Sequence, residues 1–393
     1  MKPPSIAFFC LCLFFLSLAW SCTQTSKSVP TIESSVLAIN QLPTTTIPPA
    51  PKTVEWLFIY YMPYDNDLSE YGALIIDSIQ KGIQSEAVAA VVQFDAYGNT
   101  GINRLIITHD TILKMSIATE ISATTQTFKA YLEWTNTLFT TSKSAVVLLD
   151  HGGQLDEICL DETPEYKLLR IDSIAQVLAA HNATQQKLVN LLFLQVCTKG
   201  TIEAFYEFKE TAHYTLASQT VLGAPNAYYV PLFNALSQNP TLNGLEVARL
   251  IRQHEASNMF DSYTCVDNAQ FAEFSLNFDT FFQQLKMQKV LSLNQSPLPL
   301  HYAGESYWDL VDFLKNLVLE NANTNTLRQK NMDFIQNKLI AFHHLNPVKS
   351  SMHNYAGCSI GALSTNHKNA AERYQHLQFY QDFPWDELTI YDN

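Results

Sequence analysis

The sequence predicts an α/β protein built on a mostly parallel central sheet with helices on both faces. Two observations carry that expectation. Several strand-length runs are apolar almost without a break, as strands buried on both faces are. Segments of helical periodicity separate them, which supplies the crossovers a parallel sheet needs. The first run is "VEWLFIYYM" (54–62). In "PYDNDLSEYGALIIDSIQKG", Asp65, Asn66 and Ser69 can cap a helix whose apolar stripe is Leu68, Leu74, Ile75 and Ile79. A second strand follows at 87–94, and "NRLIITHD" reads as a short antiparallel addition. Then come a helix, "TQTFKAYLEWTNTLF", a strand, "SAVVLLDHGG", a helix, "RIDSIAQVLAAHNA", and a strand, "KLVNLLFLQVC". A helix, "TIEAFYEFKETA", and a fifth strand, "HYTLASQT", close the alternation.

From Leu242 onward the pattern turns helical, in "NGLEVARLIRQHEASN", "FDTFFQQLKMQKVLS", "SYWDLVDFLKNLVLE" and "TLRQKNMDFIQNKLIAFHH". "SYTCVDNAQ" and "NYAGCSIGALST" read as inserted strands that can join the sheet. The expected organisation is a sheet-bearing domain at 54–240 and a helix-rich region at 241–393 that packs on it.

Composition narrows the function classes. The chain has 393 residues, 47% of them hydrophobic, enough for a large core without disulfide staples. Asp and Glu total 37 against 24 Lys and Arg, a net charge of −13. An acidic chain without basic runs is a poor partner for nucleic acid. Cys159, Cys197, Cys265 and Cys358 are widely spaced with no CxxC, so neither a zinc site nor a dense disulfide framework is expected. No HExxH or EF-hand pattern occurs, and no metal or other cofactor is expected.

The N-terminus reads as an export signal over 1–21: Lys2, an apolar stretch at 6–18, then small Ala19 and Ser21 before Cys22. This resembles a bacterial lipoprotein cleavage site, made irregular by Trp20. Cys22 is then the expected lipidated anchor, with an ordinary secretory cut nearby as the alternative. Residues 22–53, rich in Thr, Ser and Pro, read as an extended tether. The expected location is the bacterial cell envelope.

Two strands end in residues capable of chemistry. His151 follows "AVVLLD" and precedes Gly152 and Gly153; Cys197 follows "LLFLQV". Sites in open parallel sheets form beyond the carboxyl ends of strands, and right-handed crossovers can bring both residues to one edge. A thiolate is a strong nucleophile and an imidazole can pass a proton to a leaving amine. The amides of Gly152 and Cys197 can form an oxyanion hole. A helix beginning near Thr201 is expected to turn its positive end toward the thiol. Taken singly, each residue has a plain reading: a buried cysteine is usually packing, and a His before two glycines is usually a turn.

"VVLLDHGG" and "LLFLQVCTKGTIEAFYE" together resemble the two active-site strands of the clostripain-like cysteine peptidases, a family with a caspase-like fold, a three-layer sandwich. Gly200 matches the family glycine three residues after the cysteine. Further segments agree in order from Val54 to Leu388, among them "WLFIYYMPYDNDLSEYGALIIDSI" and "HLQFYQDFPWDEL". The resemblance implies a catalytic domain at 54–240 that cleaves peptide or protein substrates through a thiol acyl-enzyme. Cys197 would be the nucleophile and His151 the general acid/base. "TLASQTVLGAPNAYY" matches the segment bordering the substrate pocket, which puts Gln195, Ser218 and Gln219 at its wall.

One residue departs from the pattern. Gln195 stands where the family usually has an acidic residue that receives a basic P1 side chain, so a preference for Arg or Lys is not implied. Gln195-Val196-Cys197 instead echoes the Gln-Ala-Cys of caspases. Asp156, Glu157, Asp161 and Glu162 follow the histidine and are read as a solvated loop, or as negative charge offered from another side. Beside the peptidase reading stand a catalytically weak or inactive relative that binds peptides or proteins, and a purely structural surface lipoprotein.

Overall fold

β1 (Lys52–Tyr64) occupies the interior of the sheet rather than its edge, and the chain builds outward from it. The structure, a computed structural model, describes residues 42, 44–45, 50–98, 101–119, 121–348, 354–361 and 373–391. The export signal, Cys22 and most of the tether lie outside the described residues. After β1 a 3-10 turn (Asp67–Tyr71) capped by Asn66 leads into α1 (Gly72–Gly82). β2 (Val88–Ala96) pairs parallel to β1. β3 (Ile102–Ile107) and β4 (Ile112–Ile117) close that edge as an antiparallel hairpin. α2 (Thr125–Leu138), capped by Thr124, returns the chain to the other flank of β1, where β5 (Phe139–Leu149) pairs parallel.

A small hairpin follows, β6 (Glu157–Asp161) with β7 (Lys167–Arg170), then α3 (Ile171–Gln185). β8 (Val189–Gln195) pairs parallel to β5, and after α4 (Ile202–Glu207), β9 (Ala212–Ala217) pairs parallel to β8. α5 (Tyr229–Gln238) and α6 (Gly244–His254) precede β10 (Ser262–Asp267), which pairs antiparallel to β9. Next come α7 (Phe271–Gln288), β11 (Val290–Ser292), β12 (Pro299–Tyr302), β13 (Glu305–Asp309), α8 (Leu310–Asn316) and α9 (Ala322–Phe334). β14 (Ile340–Leu345) completes the far edge beside β10. β15 (Ser359–Gly361), α10 (Gln378–Asp382) and β16 (Thr389–Tyr391) follow. The sheet order is β14-β10-β9-β8-β5-β1-β2-β3-β4, five parallel strands between antiparallel flanks.

Alternation along the strands divides the core in two. Leu57, Ile59 and Tyr61 of β1, Val146 and Leu148 of β5, and Leu192 and Leu194 of β8 face α2, α3, α4 and α7. Phe58, Tyr60 and Met62, Val147 and Leu149, and Leu191 and Phe193 face α1, α5 and α6. Both faces are buried, which is why these strands read as unbroken apolar runs.

Three segments differ from the expected pattern. "AFHH" is the edge strand β14 rather than the end of a helix; a π turn at Ile335–Leu339 widens the coil and releases the chain into the sheet. "SYWD" is strand β13, because the Asp309 side chain caps α8 by accepting from Asp312 N at 3.0 Å. The acidic segment after His151 is not an open loop but carries β6 and β7. Among the described residues no helix is long and apolar enough to cross a membrane.

Candidate active site

β5 and β8 pair in register up to Leu149↔Gln195, an offset of 46 residues, which is also the spacing from His151 to Cys197. Extending the ladder by two positions sets His151 beside Cys197, on strands ~4.8 Å apart. Backbone contact does continue: Asp150 N donates to Gln195 O at 3.4 Å. Gly152 lies so close to Cys197 that a Cβ there would sit 2.2 Å from the Cys197 carbonyl oxygen. Leu149 faces α1, α5 and α6, and period-two alternation returns His151 and Cys197 to that side. Cys197 Sγ is 3.5 Å from the carbonyl of Leu222, which belongs to the same apolar cluster. The cysteine is buried, 7% exposed, while the histidine side chain is 26% exposed.

A residue that the sequence did not single out completes the arrangement. Asp67 Oδ1 lies 2.6 Å from His151 Nε2. Its neighbour Asn66 fixes it there. The Asn66 amide donates to Pro63 O, to Leu160 O at 2.8 Å and to Asp150 Oδ1 at 2.9 Å, and its oxygen accepts from Leu68 N. The loop after β1 is thus tied to the end of β5 on both sides of the histidine. Full burial pushes the Asp150 carboxyl well above the usual carboxylate range.

The loop after His151 offers a backbone donor. Gly152 bridges Ile158 of β6, but the hydrogen bonds flank that bridge, from Gly153 N to Glu157 O and from Cys159 N to His151 O. Gly152 therefore turns its own groups away from β6. Its carbonyl accepts from Tyr302 Oη at 3.2 Å, and its N–H has no hydrogen-bond partner among the described residues.

Gln195, two residues before the cysteine on the same face, is 4% exposed and its amide is occupied. Its oxygen accepts from Tyr228 Oη at 2.6 Å, and its nitrogen donates to Tyr229 Oη and Asn226 Oδ1. Asn226 in turn donates to Glu255, whose carboxylate also accepts from Ala227 N, Ala256 N and Tyr263 Oη. Burial raises the Glu255 pKa, and four donors leave its oxygens no vacancy for a ligand cation. Ser218 and Gln219 are fully buried. Ser218 meets Ser262, and Gln219 donates to Asp309 and Ser359. No hydrogen bond among the described residues joins them to Gln195.

Asp156 and Asp161, two of the acidic residues after the histidine, are spent on structure. Asp161 accepts from Ser122 and Ala123, and Asp156 pairs with Arg170 and His376. The helix after Cys197 is short, six residues, with Thr201 capping it and Glu203 in its first turn, so its field at the thiol is small. All four described cysteines are buried and none is in a disulfide, and no group of three or more metal-ligating side chains occurs among the described residues.

Three solved structures similar to this one are described as C11 proteases. A secreted C11 cysteine protease from Bacteroides thetaiotaomicron, in complex with an irreversible peptide inhibitor, covers 85% of this chain and 100% of its own at a TM-score of 0.63 and 16% identity. An inactive zymogen of a C11 protease from Parabacteroides distasonis covers 85% and 99% at 0.62 and 16% identity. The secreted B. thetaiotaomicron C11 protease called iotapain covers 85% and 100% at 0.64 and 13% identity. At such identities the likeness speaks for the fold, the caspase-like sandwich. No curated protein matches the sequence. The family model for clostripain, however, matches residues 60–391, nearly the whole described chain. The chain belongs to the clostripain family of cysteine peptidases.

Proposed function

We propose that the protein is an exported cysteine endopeptidase, anchored by lipid at Cys22, that cleaves peptide bonds with Cys197 as nucleophile and His151 as general acid/base. The observation that carries this reading is the common register: β5 and β8 pair as far as Leu149↔Gln195, two residues short of His151 and Cys197, and Gly152 packs on the Cys197 backbone. Cys197 passes its thiol proton to His151 and the sulfur adds to the scissile carbonyl carbon, whose oxygen takes up charge against the Gly152 N–H and the Cys197 amide. His151 protonates the departing amine as the C–N bond breaks, leaving a thioester on Cys197. Water then attacks the thioester, His151 accepts its proton, and the carboxylic acid leaves as the thiol is restored. No cofactor enters these steps. Export is supported by the signal-like N-terminus, and two of the structural relatives are described as secreted.

Asp67 holds the imidazole. An exposed ion pair contributes little to stability, but a carboxylate on one ring nitrogen fixes the tautomer and orientation of the imidazole. Asp67→Asn should lower kcat/KM about 10- to 100-fold while leaving the thermal unfolding midpoint nearly unchanged, a combination read by steady-state kinetics with a melting curve.

Gln195 shapes the first substrate pocket, with Ser218 and Gln219 supporting its wall from behind. With the Gln195 amide bound to two tyrosines and Asn226, and Glu255 saturated, a P1 Arg or Lys finds no carboxylate to pair with, and a buried unpaired cation is costly. Uncharged P1 side chains are expected. The test is covalent labelling of the protein by peptidyl electrophiles varied at P1, read by mass spectrometry, with Cys197→Ala and His151→Ala as controls. The reading expects labelling at Cys197 that needs His151 and is strongest with uncharged P1 groups. Absence of labelling by every P1 group on folded protein, before and after internal proteolytic processing, would sink it in favour of an inactive relative that binds peptides or proteins.

A further inference from the structure

Lys199 is fully buried two residues after Cys197, and the catalytic steps above make no use of it. Its ammonium donates to Gly153 O at 3.1 Å and Gln154 O at 2.8 Å, both in the loop that begins at His151. No carboxylate among the described residues lies within ion-pair distance of it; its partners are neutral carbonyls. A buried cation without a direct counter-ion is costly, and native chains rarely keep one for packing alone, since Met or Leu fills such space without the cost of desolvation.

The groups facing this ammonium come from every element around it. Cys197 lies on its own segment, Asp156 on the loop entering β6, Glu157 and Cys159 on β6 itself, and Glu305 on β13. The acidic ones are committed elsewhere: Glu305 to Leu155 N and to the hydroxyls of Tyr307 and Tyr374, Asp156 to Arg170 and His376, and Glu157 to Gln154 N. Burial lowers the lysine pKa to about 8, and Glu305, Cys197, Asp156 and Glu157, in that order, oppose the fall. Linkage makes such an effect reciprocal: if thiolate at Cys197 favours the ammonium, the ammonium favours the thiolate by the same amount.

We propose that Lys199 is a positioning residue that pins the His151–Gln154 loop against the nucleophile strand and, through its charge, holds Cys197 in the thiolate form. The six-residue helix after the cysteine is too short and too well capped to do this. The inference rests on Cys197 being the reactive thiol. It assigns a role to a second side chain that neither transfers a proton nor touches the scissile bond. As pH rises and the lysine loses its proton, the thiolate loses its counter-charge, so reactivity per thiolate and its pH profile become coupled to Lys199.

The test is the rate of Cys197 alkylation by iodoacetamide, a small reagent that needs no substrate pocket, from pH 5 to 10. The full chain is compared with Lys199→Met and Lys199→Arg, and Cys197→Ala supplies the background. The wild-type midpoint is expected below the ordinary cysteine value of about 8.5. Lys199→Met should shift it up by at least about one pH unit, a tenfold loss of alkylation rate near pH 6.5, and Lys199→Arg should restore it. Superimposable profiles for wild type and Lys199→Met would overturn the proposal. So would a wild-type midpoint at or above about 8.5, a measurement that stands even if the methionine variant fails to fold. Failure of the peptidase reading looks different: alkylation of Cys197 would still follow Lys199, but no peptidyl electrophile would label it.

Discussion

Gly152→Ala is expected to abolish turnover, with kcat falling at least about 1000-fold. A methyl group at this position meets the Cys197 carbonyl oxygen at 2.2 Å, its carbonyl carbon at 3.1 Å and its nitrogen at 3.3 Å. Every one of these is backbone, so no rotamer change relieves the clash; the His151 loop and the Cys197 strand end must separate. Separation moves the unpartnered Gly152 N–H off the developing oxyanion, and loss of one such donor alone costs about 10²–10³ in kcat. It also draws His151 away from the thiol. The accompanying loss of stability should be modest, about 1–3 kcal/mol for overpacking, so the variant remains folded. Kinetics with the best peptide from the labelling panel, alongside a urea titration, separates the two effects. A Gly152→Ala protein that keeps kcat within threefold of wild type would remove Gly152 from the oxyanion site.

Glu203→Gln is expected to stabilise the protein by about 3 kcal/mol at pH 8 and to change little at pH 4.5. Glu203 is fully buried in α4, where it accepts from Gly361 N and Tyr380 Oη, both at 2.9 Å, while its second oxygen has no partner. Burial is the main reason its pKa rises from 4.5 to about 7. The folded protein therefore holds this proton more tightly than the unfolded chain between those two values. Stability contributed by the protonated carboxyl is greatest below pH 4.5 and falls as pH rises through the window, levelling above about 7. The amide of glutamine keeps both accepted bonds and never ionises, which removes the slope. Asp95, whose pKa burial raises to about 8, adds a slope of the same sign, so the informative quantity is the difference between wild type and variant at each pH. An equal difference at pH 4.5 and pH 8 would show that Glu203 does not titrate as its burial demands.

The parallel core was legible because its strands are buried on both faces and so carry no polar residue to blur them: "VEWLFIYYM", "AVVLL" and "LVNLLFL" each became the strand their composition implies. The spacing of His151 and Cys197 was informative for a geometric reason, since 46 is also the register offset of β5 on β8. Asp67 was not legible. It reaches His151 across 84 residues of sequence, held only by the bonds of Asn66 to Asp150 and Leu160, and a helix-capping reading of "DND" accounts for those residues equally well without it. Lys199 was passed over because a lysine after a cysteine reads as surface; only tertiary packing sets it at zero exposure. α5, in "YVPLFNALSQ", went unnoticed because Pro231 sits in its first turns, where proline is tolerated but reads as a break. β14 was misread because nothing in "IAFHHL" excludes helix until an edge strand is needed to cover β10.

The order of the sheet also bears on how an exported chain folds as it emerges, N-terminus first, on the far side of a membrane. β1 is made first and sits inside the finished sheet, β2 to β4 extend it one way, and β5, β8, β9, β10 and β14 extend it the other way in the order of synthesis. Each new strand thus finds its neighbour already present, and no strand must be threaded between two that have paired. The nucleophile strand docks on the histidine strand 46 residues after it, well before the C-terminal strands arrive. The β10 edge, by contrast, stays open to other chains until β14 arrives some seventy residues later, and chains held in that interval carry the aggregation risk of this fold.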